Sequence, residues 1–288
     1  MKAVVFVTEV VPESLMPGKL PLVLLPMIDR PLIELQVEAL VEQGVTEIQL
    51  YAVAGLERLR SLLGNGARWG CTLTIHPLRS DRPLTAFHTL PETQEPVLVA
   101  LAEVVPFPEI CWPTATIWTT PWDEWAGVCV ASAELLRRIP EEVTLAQLPE
   151  VLRPQLTLDF MDRHPMRSLG EFIVTQQAEL ARRIQNEVHV ARSARVHPRA
   201  RLVGPAWIGP QCRVGAGVQL GPNVCLGAGC IVERGTRLQD ALIAPGSYIG
   251  ADLELDQVYV DRSRLINLRQ EIGLTIDDAF LLGSAAKL

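Results

Sequence analysis

The chain has 288 residues, 48% hydrophobic and 20% charged, which supplies ample apolar material for a buried core and excludes a disordered tail protein. Its 22 prolines and 20 glycines are dispersed, against collagen-like or low-complexity chains, and no apolar run is long enough to span a membrane. A net charge of −7 argues against a protein built to hold a nucleic-acid backbone, although the stretch from Val188 to Leu255 carries seven arginines against Glu233, Asp240, Asp252 and Glu254.

Lys2–Val7 is too short for a secretory signal core and soon meets Glu9 and Pro12, so it is expected as a first core strand. A proline-rich loop from Pro12 to Pro31 follows. Pro31 suits the first position of a helix whose face carries Leu32, Leu35, Gln36, Ala39 and Leu40, ended by Gly44. Glu47–Val53 is expected as a strand, Leu56–Leu63 as a helix, Thr72–His76 as a strand, Leu84–Leu90 as a helix and Val97–Leu101 as a strand. Strand–helix alternation at this spacing predicts an α/β domain with a mostly parallel sheet, over residues 1–182. Ligands of such sheets bind beyond the carboxyl ends of the strands.

From Val190 an aliphatic residue recurs every sixth position: Val196, Leu202, Ile208, Val214, Leu220, Leu226, Val232 and Leu238. The register then slips by one and resumes at Ile243, Ile249 and Leu255. Four places after each aliphatic residue stands a small or compact one, from Ala194 and Ala200 to Cys230 and Thr236, and Gly209, Gly215, Gly221 and Gly227 follow four of the aliphatics directly. Three such hexads make one coil of a left-handed parallel β-helix, with the aliphatic inward, the small residue near the corner and glycine permitting the turn. That domain is expected over 183–261, with a helical cap over 262–288. Trp207 lies between inward Ala206 and Ile208, so it is expected to face outward as an interface residue. A homo-oligomer or a hetero-complex through the β-helix is the expected assembly.

The cysteines (Cys71, Cys111, Cys129, Cys212, Cys225, Cys230) show no C-x-x-C pair and no zinc spacing with the histidines. No metal site is expected, and they are read as small buried residues of a reducing, cytoplasmic compartment. Lysine occurs only at Lys2, Lys19 and Lys287.

Pro26, Arg30-Pro31-Leu32-Ile33-Glu34 and Gln43-Gly44-Val45-Thr46-Glu47-Ile48 resemble the P-L-I-E…G-V-x-E-I segment of sugar-nucleotide pyrophosphorylases. These nucleotidyltransferases join a sugar 1-phosphate to a nucleoside triphosphate and release pyrophosphate. Val97-Leu98-Val99-Ala100-Leu101-Ala102-Glu103 is similar to their F-L-V-L-N-G-D, Ala126-Gly127-Val128-Cys129-Val130 to A-G-I-Y-V, and Ser168-Leu169-Gly170 to D-I-G. The segment from Leu202 to Pro210 resembles the G-P-V-V-I-G coil of the mannose-1-phosphate guanylyltransferase branch. The resemblance spans the chain and implies a truncated, Rossmann-like nucleotidyltransferase sheet followed by the β-helix.

The same alignment strips the chemistry out. Where the family has G-G-x-G-T-R, this chain reads Val7-Thr8-Glu9-Val10-Val11-Pro12-Glu13-Ser14: no glycine for close backbone approach, two repelling carboxylates, and a proline without an N–H. The family's lysine position falls on Leu22, leaving Lys19 as a displaced remnant. The two metal-binding aspartates fall on Glu103, a carboxylate at a strand end, and Ser168, which carries no charge. Pro83-Leu84-Thr85-Ala86-Phe87 is similar to P-L-G-T-A-G without its glycines, which makes Thr85 a helix N-cap candidate. Thr85, Ala86, Glu103, Ser168 and Gly170 are thus expected as nucleotide-pocket remnants, with no catalytic residues beyond the traces at Lys19 and Glu103. The interval from Glu103 to Gly127 is short and holds Trp112, Trp118, Trp122 and Trp125, a stacking surface or a compact replacement core.

The expected function is a catalytically inactive pyrophosphorylase homologue acting as a binding, regulatory or structural subunit. Its partners would be a catalytic homologue, a nucleotide or a sugar nucleotide, with no nucleic acid and no membrane span. One alternative is an active nucleotidyltransferase using Mg2+, the only case in which a cofactor is expected. Another is a hexapeptide acyltransferase with His197 as base.

Overall fold

The computed structural model describes residues 1–79, 82–90, 95–105 and 115–285. Glu109, Cys111, Trp112 and Lys287 lie outside them. The chain divides into two units, the first comprising Met1–Val10, Lys19–Leu25 and Pro31–Arg167, the second Val11–Gly18, Pro26–Arg30 and Ser168–Leu288. The division therefore falls between Arg167 and Ser168 rather than at 182, and two short early segments join the later unit.

Up to residue 167 the elements run β1 (Lys2–Val7), β2 (Pro26–Met27), β3 (Arg30–Pro31), α1 (Leu32–Glu42), β4 (Glu47–Ala52), α2 (Leu56–Leu63), β5 (Thr72–Pro77), α3 (Thr85–His88), β6 (Pro96–Leu101), β7 (Thr116–Thr119), β8 (Trp125–Ser132), α4 (Ala133–Arg137), α5 (Leu148–Leu152) and β9 (Thr157–Phe160). The sheet of the first unit has the order β5-β4-β1-β6-β8-β7-β9. Strands β5, β4, β1 and β6 are parallel, whereas β8 runs antiparallel to both β6 and β7. β1 lies between β4 and β6, and its Ala3–Val7 run is buried throughout, as a central strand covered on both faces requires. The buried face of α1 is Leu32, Ile33, Gln36, Val37 and Leu40. The helix is thus rotated from the expected stripe: Leu35 and Ala39 are only half-buried, and Ile33 and Val37 replace them. Pro31 is the N-cap, one place earlier than expected.

In the second unit α6 (Leu169–Ile184) precedes a stack of short parallel strands. These are β10 (Val188–Val190), β11 (Arg195–Val196), β12 (Arg201–Leu202), β13 (Ala206–Ile208), β14 (Arg213–Val214), β15 (Gln219–Leu220), β16 (Val224–Leu226), β17 (Ile231–Val232), β18 (Arg237–Ile243), β19 (Ser247–Ile249) and β20 (Glu254–Asp261). Up to Leu238 each pairs with the strand three hexads on: Val190 with Ile208 and Ile208 with Leu226, Val196 with Val214 and Val214 with Val232, Leu202 with Leu220 and Leu220 with Leu238. The slip after Leu238 shortens the last coil by one residue, so Leu226 pairs with Ile243 and Leu238 with Leu255. Inward aliphatics from Ile208 to Ile249 are buried and form one core with Cys212, Val218 and Cys230, whereas Val190, in the first coil, is exposed.

Of the four glycines that follow an inward aliphatic, Gly221 adopts the expected left-handed backbone with φ 99°, and Gly209, Gly215 and Gly227 do not. A Cβ on Gly215 would lie 2.7 Å from the Arg234 nitrogen of the next coil. Gly209 and Gly215 are required by the closeness of the neighbouring strand segment, and further left-handed positions fall on Gly217 and Gly235. The expected helical cap over 262–288 is also corrected. The described residues there form β21 (Arg264–Asn267), β22 (Ile272–Thr275) and β23 (Leu282–Ser284), antiparallel to the coil strands or to each other. Pairing of β21 with β20 and of β22 with β21 extends the sheet and satisfies backbone groups that β20 would otherwise leave open.

Candidate functional site

The carboxyl end of β1 leads into Thr8 and Glu9, and the end of β6 into Ala102, Glu103 and Val104. Glu103 is fully buried. Its Oε1 accepts the backbone N–H of Thr8 at 2.7 Å and that of Glu9 at 2.9 Å, and its Oε2 lies 3.4 Å from the Thr8 hydroxyl. The carboxylate expected at a strand end is therefore a buried one. Burial pushes its pKa up to about 7; the two N–H donors oppose that rise, and the nearby Glu9 charge adds to it.

Three neighbours fix this turn. The Ala102 N–H donates to Phe6 O at 2.8 Å, and Met166 N–H to Glu103 O at 3.0 Å. The buried Gln36 amide of α1 donates to Ala102 O at 3.3 Å and to Val104 O, clasping the turn on both sides of Glu103. The sequence analysis placed Gln36 on the helix face without a role; a polar residue on an apolar stripe was the available signal. Gly127 has φ 84°, and a Cβ there would meet Val104 Cγ2 at 2.7 Å and Pro165 Cγ at 2.9 Å, which explains the A-G motif.

Of the other expected remnants, Lys19, Thr85 and Ala86 lie in the first unit with Glu103. Lys19 is exposed, with φ 44°, and no hydrogen bond or ion pair joins it to Glu103 among the described residues. Thr85 does not cap α3. Leu84 is the N-cap residue, and the Thr85 hydroxyl donates back to Arg82 O at 3.1 Å. Ala86 is buried in the core under the sheet. In the second unit, Ser168 is the N-cap of α6, its Oγ accepting the Glu171 N–H at 3.1 Å, and Gly170 sits in the first turn, where a Cβ would meet Ser168 Oγ at 3.8 Å.

Glu103 Oε1 holds two backbone donors and burial disfavours its charge, while the Ser168 hydroxyl caps α6. Trp118 is buried, Trp122 is 77% exposed and Trp125 is half-buried, with its Nε1 donating to Val128 O at 3.1 Å. Trp125 lines a cleft of about 650 Å³ that also takes in Thr8, Glu9 and Leu101.

In the second unit Trp207 is half-buried. Its ring stacks on His189 with centroids 3.9 Å apart, and the Arg183 guanidinium of α6 lies 5.0 Å from the ring centroid, itself paired with Asp29 at 2.9 Å. The outward tryptophan is thus covered from within its own unit. His197 is exposed and its Nδ1 accepts the Arg199 N–H at 3.1 Å. Cys71, Cys129, Cys212, Cys225 and Cys230 are buried free thiols, as expected. No helix among the described residues is long and apolar enough to cross a membrane.

The first unit is an α/β unit built on a mostly parallel sheet. No protein-family model matches the chain, and no curated protein matches it. A solved structure described as a glucose-1-phosphate thymidylyltransferase from Bacillus anthracis, in complex with a sucrose, is similar with a TM-score of 0.51 and 13% identity. The match covers 62% of this chain and 94% of that one, and it shows the sugar-nucleotide transferase fold alone.

Proposed function

We propose that this protein is a catalytically inactive homologue of the sugar-nucleotide pyrophosphorylases, in the mannose-1-phosphate guanylyltransferase-like branch, and acts as a binding, regulatory or structural subunit. Its repeat would be wound as a left-handed parallel β-helix. The observation that carries this is the Glu103 carboxylate on the Thr8 and Glu9 N–H groups. Nucleotidyl transfer needs backbone donors and cations aimed at a triphosphate. Here the donors that follow β1 hold a carboxylate of the protein itself. Supporting this are a stretch from Val7 to Ser14 without glycine, an exposed Lys19 and the use of Ser168 as a helix cap.

The test incubates the full chain with sugar 1-phosphates, each nucleoside triphosphate and magnesium, and measures pyrophosphate. No release is expected; turnover would establish the active alternative. The acyltransferase alternative draws less support, because one His197 nitrogen is engaged by its own turn.

Self-association through the repeat remains part of the proposal, but through a different row from Trp207. Arg195, Arg213, Ile231 and Tyr248 stand in one register column, and grooves of about 550 and 590 Å³ run beside it, one of them also lined by Glu233. A face with arginines at one end and a carboxylate at the other is self-complementary about a two-fold axis.

A further inference from the structure

We propose that the open end of the coil stack docks an acidic, extended segment of a partner protein, added as a strand along the edge of the first coil. The proposal does not rest on the non-catalytic reading, which pyrophosphate release tests separately. At the far end of the stack, β23 pairs with β19 and β21 with β20. At the near end, β10, β11 and β12 are paired on one side only. The inward aliphatics register the difference. Val190 is 41% exposed, whereas its in-register partner Ile208 is fully buried. Val196 and Leu202 are half-buried, and their partners Val214 and Leu220 are buried. The backbone is open too. In the second coil the carbonyls of Ile208, Cys212, Val214, Val218 and Leu220 accept the N–H groups of Ala191, Arg195, His197, Arg201 and Val203. The equivalent carbonyls of the first coil, at Val190, Ala194, Val196, Ala200 and Leu202, receive no backbone N–H among the described residues.

Charge selects the occupant. From Val188 to Gly204 the first coil carries Arg192, Arg195, Arg199 and Arg201 and no carboxylate, on a chain whose net charge is −7. All four are exposed, and no side-chain hydrogen bond or ion pair engages them among the described residues. A second copy set end to end would place these arginines against their own kind, which disfavours it. A phosphate backbone would suit the guanidinium groups but would bring acceptors to a row of open carbonyls, with no N–H to give them. An extended acidic peptide supplies both needs. Its backbone N–H groups pair with the open edge, apolar side chains on one face cover Val190, Val196 and Leu202, and carboxylates on the other reach the arginines.

The test uses the full chain and fluorescence anisotropy with a short labelled peptide that alternates glutamate and valine. Its counterparts are the same peptide with lysine for glutamate, the same peptide N-methylated along its backbone, and an oligouridylate. The acidic peptide is expected to bind with Kd of the order of 100 micromolar at about 0.15 M salt, and the three counterparts at least about tenfold more weakly. The exposed double variant Arg195→Gln/Arg201→Gln should weaken the acidic peptide at least about tenfold. Arg234→Gln/Arg237→Gln, which removes the same charge from a later coil, should leave its affinity within about twofold. No binding of the acidic peptide at about 1 mM would overturn the proposal. So would equal affinity for the N-methylated peptide, which would show that the strand edge is not used. Equal loss in both double variants would mean diffuse electrostatic attraction, and an oligouridylate that binds as well as the peptide would mean a nucleic-acid surface; either result contradicts the assignment.

Discussion

Glu103 combines full burial with a raised pKa, and that combination has a measurable consequence. Its folded-state value, about 7, lies above the ordinary carboxyl value, so the folded protein holds a proton that the unfolded chain gives up. The stability this group contributes is complete below the unfolded carboxyl value and is lost as pH rises through about 7. Denaturant melts should therefore show stability falling between about pH 5 and pH 8, by up to roughly 3 kcal/mol from this group. Glu103→Gln should flatten that slope; parallel profiles for wild type and variant would contradict the assignment. A carboxylate after a strand was legible in the sequence as a ligand candidate, but its burial was not. Burial depends on the turn from Ala102 to Val104 folding back over β1, and on Gln36 reaching it from α1. Thr85 shows the same limit in reverse, since its hydroxyl found a carbonyl rather than an N–H.

The hexad strands were legible because a period of six is written into one residue type after another, and the coil stacking follows that period. What each glycine does was less legible, because close approach and left-handed backbone both select glycine. Gly215→Ala should cost about 1–3 kcal/mol by overpacking against the Arg234 backbone, read as a shift in the denaturation midpoint; a change within experimental scatter would contradict the tight coil contact. The C-terminal strands were missed since Leu265, Ile266, Leu268 and Ile272 also suit a helix face, and strand pairing with β20 decided between the two. That hairpin holds the loop after β1: Arg264 Nε donates to Leu15 O at 2.8 Å, and Gly273 leaves space for the Leu15 backbone. Arg264→Ala should raise the hydrogen-exchange rates of the Leu15 and Met16 amides, both bonded to Pro12 O, while coil amides such as Leu220 keep theirs. Unchanged exchange in the loop would show that the arginine is not its anchor.

For the whole molecule, strand–helix alternation carried the α/β sheet, with β1 and α2 matched in full and β6 closely. The later strands β7 and β9 escaped notice because they are short and because β9 is exposed at the sheet edge, where apolar patterning fades. The proposed assembly predicts sedimentation above the 31.7 kDa of one chain at micromolar concentration, reduced by Arg213→Glu on the outer row of the repeat. A wild type that sediments as a single chain would contradict self-association. The central claim, that the turn after β1 has no place for a triphosphate, is tested most directly by thermal unfolding of the full chain titrated with each nucleoside triphosphate and magnesium. Saturating ligand at a hundred times Kd would stabilise the folded state by about 2.7 kcal/mol. The account predicts no midpoint shift with any triphosphate, and a saturable rise of several degrees would contradict it.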